Sequence, residues 1–167
     1  MKLKVAFYKG KGRLRDRFIR RWTRSRYSHV ELVLPNDGGW IGIYPPDSPR
    51  VRLCDPSRHN HREWDFVDFE ITKEQFDSIV YFFDATESEA YDWIGMVLSH
   101  VLPFKIRHIN KWYCSEWVAY ALSLSGVVDW SVLALYKTNK LPPGKLYNIL
   151  RKESYNQSKV FYFDKYK

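Results

Sequence analysis

Residues 27–34 read Tyr-Ser-His-Val-Glu-Leu-Val-Leu, a run in which an apolar residue recurs at every second position. Successive side chains of a strand point to opposite faces. One face therefore carries Val30, Leu32 and Leu34, and the other carries His29, Glu31 and Val33. The next residues, 35–39, read Pro-Asn-Asp-Gly-Gly and predict a turn, after which Trp40–Tyr44 predicts a returning strand. This hairpin is the basis for predicting an antiparallel sheet.

The rest of the chain predicts strands first and helices afterwards. Further strands are expected over Lys2–Tyr8, Val51–Cys54, Trp64–Ile71 and, near the end, Val160–Phe163. Thr72 with Gln75 and Thr86 with Glu89 form two capping boxes, the second opening a long helix that reaches Val101. Two more helices are expected, over Trp112–Leu124 and after Pro142. With no alternation of strand and helix, the predicted class is α+β, an antiparallel sheet with helices packed on one side.

Length and composition limit the classes of protein. A chain of 167 residues predicts a single domain, 1–167. Its two cysteines exclude a disulfide scaffold and a four-cysteine zinc site. With neither a signal peptide nor a transmembrane segment in the sequence, we expect a cytoplasmic protein with free thiols. His59 and His61 share a polar loop without a third ligand at a suggestive spacing, so neither a metal nor a cofactor is expected.

The positive charge lies at the start of the chain. The net charge is +8, but residues 1–26 carry 4 Lys and 7 Arg against one acid, which makes +10, and residues 27–167 carry −2. Arg13–Arg24 predicts a short amphipathic helix with Leu14, Phe18 and Trp22 at helical spacing. One interpretation packs these three on the core and leaves a solvated basic face. The other interpretation is that the protein is a non-catalytic binding module whose basic helix contacts nucleic acid or an anionic lipid or envelope surface. We do not expect nucleic acid to be an obligate partner. The arginines available for that contact are Arg13, Arg17, Arg20, Arg21 and Arg24.

A candidate nucleophile lies where an apolar helix is expected to begin. Residues 111–117 read Lys-Trp-Tyr-Cys-Ser-Glu-Trp. A thiol in a first helical turn experiences the positive end of the helix dipole, which favours the thiolate, and the free N–H groups there can stabilise an oxyanion. The alternative is that Cys114 is a small buried hydrophobe, as we interpret Cys54 to be.

A candidate base lies on the predicted strand. His29 and Glu31 share one face two residues apart, and a histidine beside a carboxylate is a common arrangement of a general base. The alternative is an accidental pair on a surface strand.

Four short motifs occur together in one order: Ser28–Val33, Trp64–Phe66, Tyr91–Gly95 and Trp112–Ala119. In this order they resemble the circularly permuted branch of the NlpC/P60 papain-like superfamily, the YiiX/YebB-like group. The start of the chain, residues 6–23, is similar to small uncharacterised members of that branch found in phage and prophage genomes. The resemblance extends from residue 5 to about residue 146, most of the chain.

The resemblance implies a papain-like fold in which the cysteine helix follows the sheet. It implies a cysteine hydrolase or acyltransferase without a cofactor, acting on an amide, ester or thioester of a peptide, peptidoglycan or lipid acyl group, in a protein encoded by a phage in a bacterial host. Cys114 would be the nucleophile and His29 the base. Relatives commonly carry a third polar residue on the next strand, but Trp40–Tyr44 offers no carboxylate, so Glu31 is the candidate substitute. Candidate substrate-binding residues are Tyr27, Ser28 and Tyr113; for the tyrosines the alternative is aromatic packing.

Overall fold

The structure is a computed structural model that describes residues 1–36, 38–44, 48–55, 57, 59–91, 111–134 and 141–164. Within these ranges the fold is mixed α+β. The strands are β1 (Lys2–Tyr8), β2 (His29–Val33), β3 (Trp40–Tyr44), β4 (Ser48–Cys54), β5 (Trp64–Glu70), β6 (Ala90–Tyr91) and β7 (Lys111–Trp112). The helices are α1 (Leu14–Thr23), α2 (Lys73–Thr86), α3 (Cys114–Leu124), α4 (Trp130–Ala134) and α5 (Pro143–Asp164), with a 3₁₀ turn at His61–Glu63.

Five strands form an antiparallel sheet in the order β5-β1-β2-β3-β4. The short strand β6 continues it antiparallel to β4, and β7 pairs with β6 in parallel. The predicted hairpin is confirmed, because Leu32 pairs with Ile41 and Val33 with Trp40. The antiparallel sheet predicted from the hairpin is therefore present.

Both faces of this sheet are covered. The main core combines Val30 and Leu32 of β2 with alternate residues of the other strands and with most of α3. A second cluster covers the opposite face around Trp40 and Trp64. The polar residues His29 and Glu31 of β2 are buried as well rather than exposed to solvent.

Helix α1 forms where it was predicted, but its apolar side faces outward. Its N-terminus is capped by Asp16, whose Oδ2 accepts a hydrogen bond from the N–H of Arg13 at 2.9 Å. Leu14 is 80% exposed, Phe18 57% and Trp22 48%. The interpretation that packs these three side chains on the core is therefore wrong.

One predicted capping box is confirmed and the other is wrong. At the start of α2 the Gln75 N–H donates to Thr72 Oγ1 at 3.2 Å, and the Thr72 N–H donates to Gln75 Oε1 at 3.0 Å. Thr86 instead ends α2, and its hydroxyl donates to the carbonyl of Phe82 at 2.8 Å. Ala90 then begins a strand rather than a helix. The remainder of that predicted helix, residues 92–101, lies outside the described residues, as do His100 and His108.

The predicted last strand is wrong, because Val160–Phe163 belongs to the 22-residue helix α5. Its first turns are anchored by buried Leu146 and Leu150, and extending a formed helix adds one hydrogen bond for each residue fixed. Farther along, Gln157 binds the backbone N–H and carbonyl of Glu70 at 3.0 and 2.9 Å, so the helix lines the edge strand β5. No helix among the described residues, α5 included, combines the length and apolar character needed to cross a bilayer.

Candidate active site

Cys114 is the first residue of α3. The helix begins here because Tyr113 is extended, with φ −102° and ψ 158°, and the N–H of Trp117 donates to its carbonyl at 2.9 Å. The N–H groups of a first helical turn, that of Cys114 among them, have no carbonyl partner within the helix. Helix α3 packs on β2 and β3, which leaves Cys114 5% exposed at the junction of helix and sheet.

Thr86 and Glu89, which were predicted to cap a helix, instead hold the start of α3 in place. The indole N–H of Trp117 donates to Thr86 Oγ1 at 2.9 Å in the buried interior. The indole N–H of Trp112, in the strand just before Cys114, donates to a carboxylate oxygen of Glu89. Thr86 and Glu89 thus bind the chain on both sides of Cys114.

His29 connects the cysteine to the sheet. Its side chain is hydrogen-bonded to Cys114, and its Nε2 lies 3.0 Å from Glu31 Oε1. Burial alone would lower the pKa of His29, but the charge of the Cys114 sulfur and its hydrogen bond, together with Glu31, raise it to about 9. The imidazole therefore lies between a sulfur and a carboxylate, and both neighbours favour its protonated form. The sequence predicted both members of this pair, and the structure brings them together.

Glu31 is a fully buried carboxylate among three basic side chains. Besides His29, Arg52 Nη2 lies 3.3 Å from its Oε1, and His59 Nε2 lies 3.6 Å from its Oε2. Burial raises the pKa of Glu31, but the hydrogen bond from His29 and the charges of His29, Arg52 and His59 bring it below its usual value. With Glu31 0% and His29 3% exposed, the interpretation of an accidental surface pair is wrong.

The neighbouring strand β3 makes room for this carboxylate. A Cβ at Gly42 would lie 3.0 Å from Glu31 Cγ, closer than ordinary packing allows. A glycine inside a strand often marks a place where another group approaches closely. The strand that lacks the expected third polar residue therefore contributes the space that Glu31 occupies.

Arg52 and His59 lie at the site but were not among the predicted catalytic or substrate-binding residues. Arg52 lies on β4, and its alternation with Val51 was the available signal. The ring of His59 stacks on Trp40 with centroids 4.2 Å apart, and Trp64 meets both His59 and His29 edge-on at 5.2 and 6.0 Å. His59 was considered only as a metal ligand. Among the residues that the structure describes, no group of three suitable side chains could hold a metal ion.

The other predicted site residues occupy different positions. The hydroxyl of Tyr27 donates to Asp65 Oδ2 at 2.7 Å. Burial is the main cause that raises the pKa of Tyr27, and this hydrogen bond raises it further. Its ring packs on Phe7 and Tyr147, contacts that fit the packing interpretation. The Oγ of Ser28 lies 3.5 Å from a donor nitrogen of Arg20. Buried Tyr113 is the residue before α3, and the substrate-binding roles of all three residues stay predictions.

No family model matches the chain, and no curated protein shows significant similarity to it. The resemblance to the NlpC/P60 papain-like superfamily therefore stays an expectation. The observation that bears on function is the arrangement of Cys114, His29 and Glu31.

Proposed function

We propose that this protein is a cysteine hydrolase or acyltransferase in which Cys114 is the nucleophile and His29 the acid–base catalyst. Glu31 is a positioning residue that acts through His29. The observation that supports this most strongly is the buried hydrogen-bonded series from Cys114 through His29 to Glu31. A nucleophile beside a base, and a base oriented by a third group, is the arrangement that activates a weak nucleophile.

In the first half-reaction the Cys114 thiolate attacks the carbonyl carbon of an amide, ester or thioester. A C–S bond forms as the carbonyl π electrons move to oxygen, and the backbone N–H of Cys114 stabilises that oxyanion. Collapse of the tetrahedral intermediate breaks the bond to the leaving group. His29, protonated in the resting pair, donates its proton to the departing amine, alcohol or thiol.

In the second half-reaction, now neutral His29 accepts a proton from water or another acceptor as it attacks the thioester. The C–S bond breaks, the acyl group leaves as an acid or as a transferred acyl product, and the imidazolium–thiolate pair is restored. Nε2 is engaged by Glu31, so Nδ1 is the ring nitrogen left for the reacting atoms. We propose a peptide, peptidoglycan or lipid acyl group as substrate.

The order of elements supports a circularly permuted papain-like arrangement. The histidine strand β2 comes before the cysteine helix α3 in the chain, and α3 packs directly on that strand. The nucleophile lies at the helix start, where the dipole and the N–H groups favour negative charge.

Cysteine labelling tests this proposal. An alkyne-tagged iodoacetamide, applied at neutral pH and limiting concentration, is expected to modify Cys114 preferentially, because this cysteine lies at a helix start beside the His29 ring. Peptide mapping by mass spectrometry locates the label. Cys114→Ala is expected to abolish the label, and circular dichroism checks that the variant still folds.

Cys54→Ala is the matched control. Cys54 is also buried, but it lies in the second cluster, and its Sγ lies 3.8 Å from the carbonyl of Asp55. Its removal is expected to leave the labelling rate unchanged. A label found chiefly on Cys54, or one that persists in Cys114→Ala, contradicts the proposal.

A further inference from the structure

The outward side of α1 carries an apolar stripe that no part of the described structure covers. Leu14, Phe18 and Trp22 follow one another at four-residue spacing, which keeps them within an arc of about 80° at 100° per residue. All three are exposed, and the rings of Phe18 and Trp22 stack with centroids 5.6 Å apart. Side chains of this size are seldom grouped on the surface without a partner.

Arginines border this stripe on both sides. By the same helical geometry, Arg17 and Arg21 lie along one flank and Arg15 along the other. Arg17 and Arg21 are exposed and Arg15 is half-buried. The outward face of α1 is thus an apolar strip between guanidinium groups, the pattern of a helix that lies in the plane of a lipid interface.

The inner side of α1 is fastened to the protein close to the catalytic strand. The guanidinium of Arg20 donates to the carbonyls of Gly10 and Lys11 at 2.5 and 2.7 Å, and it reaches Ser28, the residue before His29. Arg20 is therefore not part of the outward face, although the sequence had placed it among the contact arginines. Anchored in this way, α1 is a fixed part of the surface.

Positive charge continues beyond the end of α1. A pocket next to the helix is lined by Arg24, Arg26, Lys145 and Arg151. Of these, Arg26 is also paired with Asp65 at 2.5 Å. The basic surface is consequently broader than the helix itself and has the charge that complements an anionic surface.

We propose that α1 docks the protein on an anionic lipid bilayer, with Leu14, Phe18 and Trp22 inserted at the level of the headgroups and the bordering arginines on lipid phosphates. Long arginine side chains place their charge at the headgroups while their stems cover apolar surface. Docking on a bilayer needs neither Cys114 nor His29 and is therefore independent of catalysis. A membrane fits this surface better than nucleic acid does, since a row of exposed aliphatic and aromatic side chains is stabilised by an apolar phase.

Co-sedimentation with vesicles tests the proposal. Wild-type protein is expected to bind vesicles that contain phosphatidylglycerol and to bind pure phosphatidylcholine at least about 10-fold more weakly, because each basic residue near an anionic surface adds attraction. Added salt is expected to weaken binding. Phe18→Ser with Trp22→Ser, and separately Arg17→Gln with Arg21→Gln, are each expected to lower the fraction bound about 10-fold or more. All four side chains are exposed, so both double variants are expected to fold.

Matched changes elsewhere serve as controls. Tyr81→Ser removes an aromatic side chain that is 77% exposed on α2, and Lys152→Gln with Lys159→Gln removes two charges from α5. These variants and Cys114→Ala are expected to bind vesicles like the wild type. The proposal is overturned if the controls lose as much binding as the α1 variants. It is also overturned if the Phe18 and Trp22 changes abolish a dimer seen by ultracentrifugation, or if duplex DNA is bound while vesicles are not.

Discussion

Replacing His29 with alanine is expected to slow acylation of Cys114 by about 10²–10⁴-fold while leaving the thiol in place, because the group that takes up the Cys114 proton and then donates it to the leaving group is lost. Acylation can be followed with p-nitrophenyl acetate as a general acyl donor. The burst of p-nitrophenolate reports formation of the thioester, and its amplitude counts reactive sites. In the variant the burst rate should fall, and titration of thiols in denaturant should still find both cysteines.

His61→Ala is the matched control for this change. His61 is exposed on the 3₁₀ turn, and its ring packs against Trp40 and Phe66 at centroid distances of 5.7 and 5.8 Å. Its removal is expected to leave the burst unchanged. An equal loss in both variants, or an unchanged burst in His29→Ala, excludes His29 as the acid–base catalyst.

Replacing Glu31 with alanine is expected to destabilise the fold by about 3–5 kcal/mol, the usual cost of removing one partner of a buried charged group. The change leaves His29, Arg52 and His59 close together without the carboxylate that they surround. Urea unfolding measures the loss, read as a shift of the midpoint at constant slope. The same variant should lose most of the acylation burst, since His29 is no longer oriented.

Glu31→Gln separates charge from shape. Glutamine fills the space opposite Gly42 and keeps an oxygen that can accept the hydrogen bond from His29 Nε2, so its folding cost should be well below that of alanine. Its effect on the burst then measures the contribution of the carboxylate charge. A cost below about 1 kcal/mol for Glu31→Ala would mean that the buried pair contributes little, as exposed pairs do.

Period-two patterning carried most of the sheet prediction. The alternation in residues 27–34 placed Val30 and Leu32 in the main core and placed His29 with Glu31 on the other face, where their hydrogen bond forms. The Thr72–Gln75 box was predictable for a similar reason, because both partners lie within one turn of chain. Signals of this kind depend on local geometry alone.

The errors arose where distant segments decide the structure. The Thr86–Glu89 pattern is a valid cap locally, but Trp112 and Trp117 bind those two side chains from elsewhere in the chain. Arg52 and His59 reach Glu31 from separate elements, so no spacing in the sequence reveals that they converge. The helical spacing of Leu14, Phe18 and Trp22 was clear in the sequence, but spacing alone cannot tell an apolar stripe on the core from one on the surface.

Titration of the His29 ring by NMR in wild type and Cys114→Ala tests the sulfur–imidazole pair most directly. In the wild type we expect a pKa of about 9, as the structure indicates. In Cys114→Ala we expect a markedly lower pKa, because burial still opposes the charged ring and the sulfur that stabilised it is gone. A ring that titrates near the ordinary histidine value of about 6.5 in both proteins would contradict the pairing of Cys114 with His29, and with it the proposed nucleophile.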